Sequence, residues 1–200
     1  MQIDTKHLHY WMQAIRQSPD PIRTLDAFWS GQIRSKEWLI ENLRSEINDS
    51  VTIEIHGGWV GVLASMLFQS GIPITSITSI DIDPECEPIA TMMNKQEEME
   101  GRFQASIADM ATYRSNANVI INTSCEHISQ LEYESWLSKL PQNSLIVLQS
   151  NNYYIDEHIR PAESLEAFIE QSHLDIFKIG ELTTELYTRY MIIGKANLTG

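Results

Sequence analysis

Residues 51–67, "VTIEIHGGWVGVLASML", change character halfway through. The first half is a β-branched run, Val51, Thr52, Ile53 and Ile55, which suits a buried strand. A glycine pair, Gly57-Gly58, interrupts it, and Val60, Val62, Leu63, Met66 and Leu67 then follow at helical spacing. A strand that turns on glycines directly into a helix is the opening of a βαβ unit. The turn is either a loop that cradles a ligand or a plain tight connection.

The rest of the chain repeats that alternation. "PITSITSIDID" reads as a second strand bounded by Pro73 and Pro84, and "PECEPIATMMNKQEEME" as one helix with Pro84 near its first turn. "RFQASI" and "ANVIINTS" are short strands, "SQLEYESWLSKLP" is helical, and "SLIVLQS" is a strongly apolar strand. "AESLEAFIEQSH" is the last helix, and "IFKIGELTTELYTRYMIIGK" forms two strands around a polar turn of about four residues. That turn is too short for a crossover helix, so the two strands pair antiparallel. The resulting expectation is an α/β fold: a doubly wound, mostly parallel sheet of seven strands closed by an antiparallel hairpin.

Before residue 49 the periodicity is helical throughout. "KHLHYWMQAIRQ" ends at the prolines of "SPDP", "IRTLDAFWSG" stops near Gly31, and "SKEWLIENLRSEI" opens with Ser35 as a plausible N-cap. Residues 1–48 therefore read as a helical extension or lid, and 49–200 as the Rossmann-like domain. Tyr10, Trp11, Phe28, Trp29 and Trp38 are expected mainly to fasten those helices down.

The 200 residues carry a net charge of -13, which argues against a nucleic-acid backbone as the main partner. Cys86 and Cys125 are the two cysteines; neither belongs to a CxxC pair, and no Cys/His cluster has metal-ligand spacing, so no metal is expected. With no export signal, no apolar run long enough to span a membrane, and two free thiols, the expectation is the cytoplasm, or a host's cytoplasm if the chain is phage-encoded.

The glycine turn, an acid after the second strand and the closing hairpin together resemble the class I S-adenosylmethionine-dependent methyltransferases over residues 51–195. "DPIRTLDAFWSGQIRSKEWL", "INTSCEH" and "LQSNNY" are also similar to short methyltransferase-like proteins of tailed phages. The superfamily resemblance implies S-adenosylmethionine as cofactor. In that family the first strand ends in an acid and a loop of the form E/D-x-G-x-G-x-G. Glu54 matches the acid and Gly58 the central glycine; His56 and Val60 stand where the outer glycines are expected, and Gly57 and Gly61 are displaced by one. His56, Gly57, Gly58 and Trp59 are thus the candidate cofactor loop. Asp81, 23 residues after Gly58, matches the acid that accepts the ribose hydroxyls, with Asp83 as a back-up or a helix cap. Asp109 matches the residue that accepts from the adenine amine, Met110 supplying the next backbone N–H; otherwise Asp109 caps a short helix "MATYR".

The fourth strand leads into Asn122-Thr123-Ser124-Cys125-Glu126-His127. The resemblance places Asn122 and Ser124 beside the cofactor, and Glu126 or His127 is a candidate general base. Cys125 is a possible nucleophile but more simply a small buried hydrophobe. Gln149, Asn151 and Tyr153 are candidates for the rim of an acceptor pocket, or merely a polar loop. Arg23, Gln32 and Lys36 are candidates for holding a carboxylate of cofactor or acceptor, with Tyr187 and Arg189 as weaker ones. The implied activity is methyl transfer to a small-molecule or protein acceptor. Chemistry on the aminocarboxypropyl arm, or a non-catalytic binding module, stays open as an alternative, and the oligomeric state is not legible.

Overall fold

The computed structural model describes residues 4–196. The strands are β1 (Val51–His56), β2 (Ile74–Asp81), β3 (Phe103–Ile107), β4 (Val119–Asn122), β5 (Leu145–Asn151), β6 (Leu174–Thr183) and β7 (Thr188–Ala196). They form one sheet of seven in the order β3-β2-β1-β4-β5-β7-β6. The expected mostly parallel sheet with a final antiparallel hairpin is therefore the observed one. The chain divides into two compact units after Asp109. Among the described residues no helix is long and apolar enough to cross a membrane.

In the first unit β2 pairs in parallel with both β1 and β3. The last four residues of β1 are all buried, as a strand covered on both faces must be. The helices are α1 (Thr5–Gln17), α2 (Pro21–Asp26), α3 (Ser30–Arg44), α4 (Val62–Phe68), α5 (Cys86–Met93) and α6 (Lys95–Met99). Asp4 caps α1 through the Lys6 N–H, and Asp20 caps α2 through the Arg23 N–H, with Pro21 in its first turn. Trp11 is 5% exposed, and its indole N–H reaches the Ser65 hydroxyl inside α4 at 2.9 Å. It ties α1 down, as expected of the N-terminal aromatics.

Two boundaries differ from the sequence expectation. The helix expected to open at Ser35 begins at Ser30, and Ser35 lies buried within it. Gly31 does not stop a helix there: a Cβ on it would stand 2.7 Å from the Trp29 ring, so the glycine makes room for that ring in the first turn. The single helix expected over residues 84–100 breaks at Asn94, whose backbone leaves helical geometry (φ -112°, ψ 33°). The side chain of Asn94 explains the break, since its amide donates to Gly61 O (3.0 Å) and Ala90 O (2.9 Å) in a fully buried position. It thereby fastens the end of α5 to the residue that opens α4.

In the second unit β4 and β5 pair in parallel, and β7 pairs antiparallel with β5 and β6. Its helices are α7 (Gln130–Leu137) and α8 (Leu165–Ser172). A Ser129–Glu132 capping box starts α7, and the Ser164 hydroxyl caps α8. Tyr133, Trp136 and Phe168 are the large buried side chains of this unit, packed with Ile120, Ile146, Leu148 and Ile192. β6 alternates strictly between half-buried and exposed residues, as a strand with one wet face does, and its register shifts between Ile176 and Lys178.

Replacing Asn94 with Ala removes two buried hydrogen bonds at once. We expect a loss of about 1–3 kcal/mol in urea unfolding with little change in the slope; an unchanged midpoint would show that the side chain does not set the helix break.

Candidate functional site

The turn after β1 is built by steric need. A Cβ on Gly58 would lie 2.0 Å from the Ser79 hydroxyl oxygen, so only glycine allows the loop to approach β2 this closely. The Gly58 N–H donates to Ile80 O at 3.0 Å, extending the β1–β2 ladder by one bond. Gly61 has φ +79° and opens α4, with Asn94 and Ala90 packed where a side chain would stand. Between them Trp59 adopts φ 48°, a left-handed conformation unusual for a bulky residue. Such strain persists only where surrounding contacts enforce it, and it concentrates at ligand-binding loops.

Asp81 enforces it. The carboxylate at the end of β2 accepts the Trp59 N–H at 2.8 Å on one oxygen and the Asp83 N–H at 3.0 Å on the other. A carboxylate offers about four acceptor positions, so each oxygen keeps one further lone pair. Asp83 is turned elsewhere: it accepts the Glu85 N–H at 3.0 Å and pairs with Arg23 at 2.6 Å. The Glu85 N–H and the Arg23 guanidinium hold its carboxyl below the ordinary aspartate value. Asp83 thus shapes the turn ahead of α5, but the helix-cap reading is not met: the N-cap position is Glu85, and no side chain caps α5.

The structure gives each of the other candidates of the first unit its surroundings. Glu54 is 3% exposed and His56 is fully buried, with His56 Nε2 3.6 Å from Glu54 Oε2. The two side chains are therefore buried together at the end of β1, next to the glycine turn in sequence. Arg23, a candidate for holding a carboxylate of cofactor or acceptor, pairs with Asp83 and has Glu85 at 3.8 Å, its side chain remaining partly exposed. Lys36 is 7% exposed and donates to the side-chain oxygen of half-buried Gln32 at 2.8 Å, so these two candidates are tied to each other along α3. Asp109 is exposed, directly after Ala108, whose N–H bonds to Asp81 O at 3.0 Å. No helix follows it, so the helix-capping alternative for Asp109 falls away.

In the second unit the segment after β4 is irregular, and its backbone carbonyls need donors. Two arginines supply them. Arg160 donates to Cys125 O (2.8 Å) and Ile128 O (3.3 Å) while its guanidinium stacks 3.9 Å over the Tyr133 ring. Arg189 donates to Thr123 O, to Gln149 Oε1 at 3.3 Å and to Glu126 Oε1 at 3.3 Å. Asn151 also donates to Glu126 Oε1, at 2.5 Å. Glu126, Arg189, Gln149 and Asn151 are all at most 4% exposed.

Three of the sequence candidates meet in this cluster. Glu126, a candidate base, is a buried ion-pair partner. Gln149 and Asn151, candidates for a pocket rim or a polar loop, are buried on β5. Tyr153 alone of that group is partly exposed, its ring 5.3 Å from Tyr187 and 6.0 Å from His158. Asn122 is buried, accepts the Ser124 N–H at 2.8 Å and donates to Met110 Sδ at 3.5 Å. Cys125 is fully buried, and burial pushes its thiol up to about 12, which fits the small hydrophobe and not the nucleophile. His127 is exposed, with Nδ1 3.0 Å from Glu157 O.

Sequence reasoning missed Arg160 and His158. His158 comes within reach of Glu126 and His127 only in space, and no local spacing announced it.

No protein-family model matches the chain, and no curated protein matches it. Solved structures do share its fold. Magnesium protoporphyrin IX methyltransferase (ChlM) from Synechocystis PCC 6803 with bound S-adenosyl-L-homocysteine has a TM-score of 0.67 at 14% identity, covering 96% of this chain and 95% of that one. N-methyltransferase NodS from Bradyrhizobium japonicum WM9, also with S-adenosyl-L-homocysteine, gives 0.64 at 12% identity, covering 94% and 98%. The cyclase SpnF gives 0.65 at 11% identity, covering 81% and 80%. The chain has the fold of these methyltransferases, and the same fold carries a cyclase.

Two substitutions test the packing of these loops. Gly58→Ala should lower stability by about 1–3 kcal/mol through overpacking. Ser79→Ala in the same chain should restore part of that loss, because the nearest remaining atom, the Ser79 Cβ, is 3.2 Å away; strictly additive effects would contradict the clash. Arg189→Leu leaves Glu126 buried without its charge partner and should cost about 3–5 kcal/mol, read by urea unfolding.

Proposed function

We propose that the chain is a class I S-adenosylmethionine-dependent methyltransferase acting on a small-molecule or protein acceptor. The observation that carries this reading is the Asp81 carboxylate, which pins a strained glycine loop through the Trp59 N–H and keeps a lone pair on each oxygen. Two adjacent acceptors of that kind suit a vicinal diol such as a ribose. Asp81 and the turn at Gly57–Trp59 therefore fit the nucleoside end of the cofactor. Asp109, exposed after β3, is assigned to the adenine amine, with the Met110 N–H beside it. The fold shared with structures that contain S-adenosyl-L-homocysteine supports the same assignment.

The cofactor, when bound, supplies a sulfonium-activated methyl group for in-line displacement. The protein's work is then to orient partners and exclude water rather than to activate a leaving group. On the acceptor side we assign His127, whose held Nδ1 leaves Nε2 for a proton or a ligand. Asn122 and Ser124, joined by their own hydrogen bond, set the shape of the segment that carries it. The likeness to phage proteins rests on the sequence motifs alone.

Calorimetric titration with S-adenosylmethionine tests the reading. We expect micromolar binding by the wild type and a loss of at least about tenfold in Asp81→Ala, with Asp81→Asn, which keeps one carbonyl acceptor, between them. Absence of binding to the wild type would overturn the proposal. Turnover assays add the chemistry: S-adenosyl-L-homocysteine as product supports methyl transfer, whereas methylthioadenosine would move the activity to the aminocarboxypropyl arm.

A further inference from the structure

We propose that Glu126, His127 and His158 form a binding site for a divalent transition-metal ion. One ligand atom from each side chain lies within 4.8 Å of the other two. Two imidazoles and one carboxylate are a donor set that zinc, cobalt and iron(II) accept, with coordination positions left for water or an acceptor atom.

Both rings are already oriented for this task. His127 Nδ1 is 3.0 Å from Glu157 O, and His158 Nδ1 is 2.6 Å from Tyr153 O. A carbonyl oxygen only accepts, so each Nδ1 carries the hydrogen and the neutral ring presents its lone pair at Nε2. Fixing the tautomer through a backbone carbonyl is how proteins hold metal-ligating histidines.

Glu126 gives an independent indication. It is 2% exposed; Oε1 takes the Asn151 and Arg189 donors, while Oε2 is buried with no hydrogen-bond partner. Leaving such an oxygen unsatisfied is costly, and a bonded cation removes that cost. With Arg189 placed at Oε1, the ion binds through Oε2 alone. Two ligands on a tetrahedral ion with bonds of about 2.1 Å stand roughly 3.4 Å apart, so binding draws the three groups inward. The exposed position of His127 allows that closure; its ring stands edge-on to His158, centroids 4.8 Å apart. The sequence expectation of no metal rested on local spacing, whereas His158 lies 31 positions beyond His127.

The test uses the untagged full chain, stripped with a chelator and titrated with Co²⁺ while visible absorption and calorimetry are followed. We expect one equivalent bound. His127→Ala and His158→Ala should each weaken binding by about tenfold or more, and the double variant should abolish it. His173→Ala, which removes an exposed histidine outside the cluster, should bind as the wild type does. Because Glu126 is structurally buried, the histidine variants are the deciding ones, with circular dichroism to verify their folding. No binding by the wild type, undiminished binding by the double variant, or an equal loss in His173→Ala would each overturn the proposal. The site stands apart from the cofactor reading: a chain that binds cobalt but not S-adenosylmethionine would refute only the latter.

Discussion

Asp81 holds together the part of the first unit that most resembles a ligand site. A parallel strand must end in a loop, and the backbone N–H groups of that loop have no ladder to join. Asp81 takes one such N–H from the turn after β1 and one from the turn after β2. Trp59 can then sit in the left-handed region, Gly58 can press against Ser79, and Asn94 can lock Gly61 from the other side. Each contact depends on the next, which is why the loop needs its glycines at these positions and not at the more usual spacing.

The second unit solves the same problem with cations. The segment after β4 exposes a row of carbonyls, and Arg160 and Arg189 answer them with multi-donor guanidinium groups. Burying Arg189 requires a countercharge, which Glu126 supplies, and Asn151 and Gln149 complete the set. Placement of His127 in the open is a by-product of that internal pairing, since its neighbour Glu126 points inward.

The fold was legible because alternation of strand and helix is a local signal, and the short polar turn after β6 fixes antiparallel closure. The places of Asp81 and Gly58 at or just after strand ends were legible for the same reason. What could not be read was whether a polar residue faces in or out. Gln149, Asn151 and Lys36 look like surface residues by type, yet each is buried with a partner. Helix limits failed at Gly31 and Asn94, where tertiary packing outweighed residue preference. The pairing of His158 with His127 is a matter of loop closure, to which local patterns are blind. Shared fold does not decide chemistry either, since it is found in a cyclase as well as in methyltransferases.

The guanidinium that satisfies Thr123 and Glu126 comes from β7, 63 positions after Glu126. A ribosome delivers the chain from its N-terminus, so the segment after β4 leaves the exit tunnel well before the strand that completes it. Until β7 arrives, Glu126 gains nothing by burial and the carbonyl of Thr123 stays with water. The nascent chain can therefore assemble its glycine turn early, while the segment carrying His127 waits for the closing hairpin. The contacts that complete the His127 segment are thus among the last that the emerging chain can make.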